Sequence, residues 1–260
     1  MSDVLLGPLD AGPFDFGEGR DAALCLHGLT GTPYEVRPLG LALAARGVRA
    51  VGPSLPGHGG SHEALARVSH TDWMDAVLRV HRELRERHER VFTVGLSLGG
   101  LLALWLAAAE EVDALVVVAT PLHMHKRFTS LLPLAKRMRR YVAKRRGSDI
   151  RDAGARARHP SMAAMPLASV HELMRLQRRV RTALGRITAP ILVAHGSLDA
   201  TAHPDDARQI AGRVSSAERE LLWLPRSGHV VPVDHDGPEL ARAVVDFLTR
   251  TRHSLRYVAG

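Results

Sequence analysis

Gly95-Leu96-Ser97-Leu98-Gly99 sets a serine between two glycines. It does so where an apolar run of β type, "VFTVGLS" (91–97), gives way to an Ala/Leu-rich helical stretch. A strand that turns straight into a helix forces its corner residue into a strained backbone conformation. The residues two before and two after must be small, because strand and helix nearly touch there. Gly95 and Gly99 meet that demand. Such a corner lifts a serine Oγ clear of the sheet, at a helix N-terminus whose dipole favours negative charge. Helix capping over packing glycines is the bland alternative; the strand before and the helix after favour chemistry. Serine is a weak nucleophile at neutral pH, so it needs an imidazole to take its proton and a carboxylate to orient that imidazole.

Fifteen histidines are available as that base, and sheet geometry must choose among them. In open parallel sheets, reactive groups gather beyond the carboxyl ends of the strands. "ILVAHGSLDATAHP" (191–204) ends a strand and delivers Asp199 in the next loop, and "LLWLPRSGHVVP" (221–232) ends the last strand and delivers His229. The chain order Ser97, Asp199, His229 is one in which this constellation recurs. Asp205 and Asp206 are rival acids, but they fall inside the following helix. An acid after the strand at 114–120 is the other common placement, and no Asp or Glu lies between Asp113 and Asp149.

Acyl transfer develops a negative oxygen, which needs preorganised donors. One is the backbone N–H of Leu98, directly after the serine. The second is expected from "LHGLTGTP" (26–33), where Gly28 and Gly31 let the backbone bend inward and Leu29 offers its N–H. His27 is expected to brace this loop, and "PSLPGHGGS" (53–61) is a structural Gly/Pro loop on the same edge.

These side chains must be positioned by a sheet. Short Val/Leu/Ala-rich runs at 21–28, 48–54, 91–97, 114–120, 191–197 and 218–225 alternate with helical patterns. One of these is "TDWMDAVLRVHRELRERHE", with Trp73, Val77, Val80 and Leu84 on one stripe. That alternation predicts a mostly parallel sheet covered by helices on both faces. Residues 121–185 break the rhythm, because the strands they separate need only one crossover helix. The expectation is an α/β core of residues 1–120 and 186–260, with 121–185 inserted as a helical lid. Its first helix is expected in "SLLPLAKRMRRYVAKRRG", and its second at 169–182, opened by a capping box of Ser169 and Glu172.

The chain's 260 residues fit one large domain. One cysteine, Cys25, rules out an internal disulfide and favours a reducing, cytoplasmic home. The first twenty residues lack the basic start and apolar run of a signal peptide or anchor. Residues 121–182 carry 16 Lys and Arg against three acids, Asp149, Asp152 and Glu172, while the whole chain is only +8. The surplus is therefore concentrated in the insertion. Three readings compete: a solvated outer face, peripheral attraction to anionic membranes, and nucleic-acid binding. The last is disfavoured by an aromatic content of 4% and by the absence of any nucleic-acid motif. No His/Cys cluster has ligand spacing, so no metal or cofactor is expected. Nothing in the chain sets an oligomeric state.

Taken in order, "LHGLTGTP", "RPLG", "PGHG", "HTDWMDAV", "GLSLGG", "LDAT" and "SGHVVPVD" resemble the α/β-hydrolase superfamily over nearly the whole chain. The match narrows to small bacterial carboxylesterases and the related bacterial monoacylglycerol lipases. The resemblance implies Ser97 as nucleophile, Asp199 as triad acid, His229 as base, and Leu29 and Leu98 as the oxyanion hole. Family members often carry an aromatic residue after "HG" and Met after the serine; both are Leu here, which bears on pocket shape and not on the amides. A monoacylglycerol lipase would be expected to read glycerol hydroxyls with a lid carboxylate, yet no acid lies between Asp152 and Glu172. A carboxylesterase for short- to medium-chain aliphatic esters is therefore placed first, and a lipid esterase at a membrane surface second. Peptidase and acyltransferase activity are compatible with the same residues. Epoxide or haloalkane hydrolysis would call for Asp in place of Ser97.

Overall fold

The computed structural model describes residues 10–124, 141–144 and 147–258, with side chains as far as Thr251. Its strands are β1 (Phe14–Phe16), β2 (Asp21–Leu26), β3 (Val48–Gly52), β4 (Arg90–Leu96), β5 (Ala114–Val118), β6 (Tyr141–Ala143), β7 (Ala164–Pro166), β8 (Ile191–Gly196) and β9 (Arg219–Leu224). Seven of them form one sheet in the order β1-β3-β2-β4-β5-β8-β9. All neighbours in it are parallel except β1, which pairs antiparallel with β3 at the edge. The architecture is a mostly parallel sheet flanked by helices, as the strand–helix alternation predicts.

Residues of β5 alternate between the two layers. Leu115 and Val117 pack into one core; Ala114, Val116 and Val118 pack into the other. Every residue of β2, β4, β5 and β8 is buried, as expected of parallel strands covered on both faces. On the first face lie α3 (His70–Arg85), α4 (Leu98–Ala109), α6 (Leu167–Ala183) and α7 (Pro204–Arg213); on the second lie α1 (Arg37–Ala44) and α8 (Gly237–Val258). The short helices α2 (His62–Ala66) and α5 (Ala153–Arg158) complete the described set. Helix α4 is apolar nearly all round, which fits its burial between the sheet and α6. Among the described residues, no helix is long and apolar enough to cross a membrane.

From β2 the chain moves outward to β3, then returns to β4 on the other side of β2. The carboxyl ends of β2 and β4 therefore flank the point where the strand order reverses, the place where open α/β sheets leave a crevice. Register there is pinned at the opposite ends of the same strands. Asp21 lies opposite Arg90, and its two carboxylate oxygens accept from that guanidinium at 3.1 and 3.2 Å.

Between β5 and β8 the structure differs from expectation in two ways. Most of the basic helix expected at 130–147 lies outside the described residues, but Tyr141–Ala143 is a strand, pairing antiparallel with β7. The capping box is also absent. Helix α6 begins at Leu167 without a side-chain cap. Ser169, already inside it, donates to the carbonyl of Leu65 at 3.1 Å, and Glu172 turns to His70, whose Nδ1 lies 2.6 Å away. Tertiary partners on α2 and α3 took the groups that local capping would have used.

Candidate active site

Ser97 sits at φ 55°, ψ −111°, a left-handed conformation that costs a β-carbon-bearing residue energy. The close approach around it is severe. A β-carbon on Gly95 would fall 2.2 Å from the Gly99 carbonyl oxygen, and one on Gly99 would fall 2.1 Å from that of Leu26. Gly100, not singled out by the motif, is equally confined: a β-carbon there would meet Thr120 Oγ1 at 2.0 Å. The Ser97 N–H donates to the Val118 carbonyl at 2.9 Å, which ties the corner to β5. Leu98 is the first residue of α4, so its N–H has no intrahelical acceptor.

Asp199 and His229, separated by 30 residues, meet at 2.8 Å between carboxylate Oδ2 and Nδ1. Nδ1 must donate to a carboxylate, which leaves Nε2 as the ring nitrogen able to accept a proton. Asp199 is further held by the amides of Thr201 and Ala202 on Oδ1, at 2.7 and 2.8 Å. Its Oδ2 has a second imidazole neighbour, the fully buried His195, with Nε2 at 3.2 Å. Burial alone would raise the Asp199 carboxyl, but His229, His195 and the Ala202 amide more than reverse that and hold it well below the usual carboxylate range. For His229, burial disfavours the charged ring. The Asp199 charge and hydrogen bond outweigh it, helped by Asp149 and Glu35, and the pKa is raised above its usual 6.5.

Ser97 and His229 line one cavity of about 330 Å³, bordered also by Gly28, Leu29 and Thr30 of the early loop. That loop is shaped by a carboxylate whose role the motifs did not reveal. Glu35 is buried, accepts the Gly28 N–H at 2.8 Å, and lies so close to Gly31 that a β-carbon there would be 2.2 Å from Oε1. Burial would raise its pKa, but His159, His27 and the Gly28 amide bring it down to about 2. His27 spans two loops: Nδ1 faces the Gly28 carbonyl at 2.9 Å and Nε2 accepts the Leu55 N–H at 3.1 Å. Burial lowers its pKa, so it is neutral at physiological pH.

Residues between β5 and β8 supply the rest of the frame. The Asp149 carbonyl accepts the N–H groups of His229 and Val230 at 2.9 and 3.2 Å, and its carboxylate accepts the Ala200 N–H at 2.8 Å. Asp234 closes the arrangement by accepting the amides of Arg151, Asp152 and Gly228, each at 2.8 Å. It ends the quoted run "SGHVVPVD", but nothing in sequence linked it to residues 82 and 83 positions upstream. The rival acid Asp206 is engaged elsewhere. It accepts from the Leu122 amide at 3.0 Å and pairs with His123 Nδ1 at 2.8 Å, and His123 in turn lines the cavity. Cys25 is buried in β2 with its thiol pushed up to about 12, so it offers no thiolate.

Residues 17–236 match the model of the family described as Serine aminopeptidase, S33. The chain is 30% identical over 241 residues to a thermostable monoacylglycerol lipase of Bacillus sp. (strain H-257), covering 92% of this chain and 95% of that one. It is 28% identical over 242 residues to a carboxylesterase of Bacillus subtilis (strain 168), covering 92% and 96%. Among solved structures, one from work on LipS and LipT, two metagenome-derived lipolytic enzymes, superposes with a TM-score of 0.87 at 27% identity, over 94% of this chain and all of that one.

Proposed function

Since the chain belongs to the Serine aminopeptidase, S33, family of α/β-hydrolases, we propose that it hydrolyses carboxylic esters through an acyl-serine intermediate. The observation that carries this reading is the 2.8 Å Asp199–His229 pair, opening on the same cavity as a serine held at φ 55°. Relatives named for ester hydrolysis at 30% and 28% identity favour esters over peptides.

In the proposed reaction Ser97 Oγ attacks the ester carbonyl carbon while His229 Nε2 takes its proton. Asp199 holds the imidazole by Nδ1 and stabilises its charged form. The carbonyl oxygen gains the negative charge and lies against the Leu29 and Leu98 N–H groups. Collapse breaks the C–O bond to the alcohol, which leaves with the proton from Nε2. Water, deprotonated by the same nitrogen, then attacks the acyl-serine, releases the acid and restores Ser97.

Met124, Met165, Val170 and Leu173 give the cavity an apolar wall, and its volume is at the small end of ligand sites. Both fit acyl chains of short to medium length. We read residues 121–185 as a lid over this site and place the protein in a reducing interior, where its single buried thiol needs no partner. A second reading, a monoacylglycerol lipase working at a membrane surface, is favoured by the Bacillus relative and by Arg175, Arg178 and Arg179, which stand exposed along α6. Hydrolysis of p-nitrophenyl esters from acetate to laurate, by the parent and by Ser97→Ala, tests the proposal. A maximum at short to medium chains, with the variant at least about 1,000-fold slower, is expected. Activity surviving in Ser97→Ala would remove the nucleophile.

A further inference from the structure

The cavity lining is of two kinds. Met124, Met165 and Val170 pack together in an apolar cluster, which suits an acyl chain. Lys144, Ser148, Asp149, His159 and Glu35 are polar members of the lining and suit the alcohol portion of an ester. The anionic groups there are already engaged. Glu35 takes the Gly28 N–H and lies 3.1 Å from His159 Nε2; Asp149 takes the Ala200 N–H, has Thr201 Oγ1 at 3.3 Å and pairs with Arg151 at 3.4 Å. The Ser148 hydroxyl is joined to His159 Nδ1 at 2.7 Å.

Lys144 is different. Its ammonium donates to one neutral group, Ser161 Oγ, at 2.9 Å, and no carboxylate lies within ion-pair distance among the described residues. An ammonium has three donors, and among the described residues Ser161 takes one of them, which leaves two to offer a ligand in the cavity. The backbone beneath is fixed on both sides. The Lys144 N–H extends the β6–β7 ladder by donating to Ala163 O at 2.9 Å, and its carbonyl accepts the Gly147 N–H at 3.0 Å. Burial pulls its pKa down and Glu35 opposes that. Lys144 is only partly exposed, and a cation partly withdrawn from water with no direct ion pair gains from a bound anion.

We propose that Lys144 is a specificity residue that selects esters whose alcohol carries an anionic oxygen group, a carboxylate or a phosphate. This rests on the esterase reading. With the Asp149 carboxylate already engaged by the Ala200 N–H and by Arg151, the donor-only ammonium of Lys144 is left to meet acceptor-rich head groups.

Three butyryl esters differing only in the alcohol separate the sources: ethylene glycol (neutral), 3-hydroxypropanoate (carboxylate) and 2-hydroxyethyl phosphate (phosphate). The measured quantity is kcat/KM for each anionic ester divided by that for the neutral one. For at least one anion, Lys144→Met should lower this ratio about tenfold or more, the scale of one charge-assisted hydrogen bond, and Lys144→Arg should restore most of it. A ratio that stays level or rises in Lys144→Met for both anions overturns the proposal. Should the parent cleave none of the three, the esterase reading fails. Butyl phosphate and butanoate titrated calorimetrically into Ser97→Ala then decide this one. Heat of binding that disappears on adding Lys144→Met supports it, and heat that persists, or is absent from the start, overturns it.

Discussion

Asp199 Oδ2 is shared by two imidazoles, and the electrostatics of that single atom set the pH behaviour. His229 accepts the serine proton only when its ring is neutral. Its pKa is raised above 6.5 by Asp199, so kcat/KM should fall as pH drops through a midpoint higher than that of an unperturbed histidine. In Asp199→Asn the raising charge is gone and burial remains. The midpoint should therefore move down while the rate falls roughly 1,000- to 10,000-fold. A pH–rate profile of both proteins checks this; an unmoved midpoint would mean that another group titrates. Ser97, Asp199 and His229 could be proposed from the sequence because each lies within five residues of a strand's carboxyl end, and strand ends are readable from local pattern. His195, Glu35 and Lys144 were not. Glu35 meets His159 from 124 positions away and Lys144 meets Ser161 from 17, while His195 stands only four residues before Asp199 but within a buried strand, where the sequence does not tell that its ring turns to that carboxylate.

Elements converge on the site with little room between them, and substitutions at the junctions should report it. Gly99→Ala places a β-carbon 2.1 Å from the backbone oxygen of Leu26, an obstacle that can move only with β2 itself. Overpacking of this kind should cost roughly 3 kcal/mol or more, read as a lowered midpoint in thermal or urea unfolding. Asp234→Ala orphans the Arg151, Asp152 and Gly228 amides, which it joins across the 151–152 segment and the His229 loop. A loss of roughly 2–4 kcal/mol is expected, together with reduced kcat, since the Gly228–His229 turn loses its anchor. Unchanged unfolding would show that water replaces the carboxylate. The six main strands were readable from their apolar runs. Edge strand β1 was not, because Phe14–Phe16 is three residues among Gly, Pro and acids. Strands β6 and β7 were missed for a related reason. At three residues each they have no period to display, and Tyr141–Ala143 fits a helical stripe equally well until Ala164–Pro166 pairs with it.

At the scale of the molecule, charge is divided: 16 Lys and Arg crowd residues 121–182, in a chain whose total is only +8. Exposed Arg175, Arg178 and Arg179 put part of that surplus on α6, whose Val170 and Leu173 line the cavity. If this face meets anionic lipid, co-sedimentation with phosphatidylserine vesicles should exceed that with phosphatidylcholine at low ionic strength and fade as salt screens it. Equal, weak recovery from both vesicles would leave a solvated outer face. The larger claim is that loops after β4, β8 and β9 bring three side chains to one crevice at the reversal of strand order. Labelling with an alkyl fluorophosphonate, followed by intact mass and peptide mapping, tests it most directly. The reagent phosphonylates a serine hydroxyl and expels fluoride only where an imidazole removes the proton. One adduct on Ser97 is expected in the parent, with none in Ser97→Ala and a strongly slowed reaction in His229→Ala. An adduct on another residue, or labelling undiminished without the imidazole, would contradict the account.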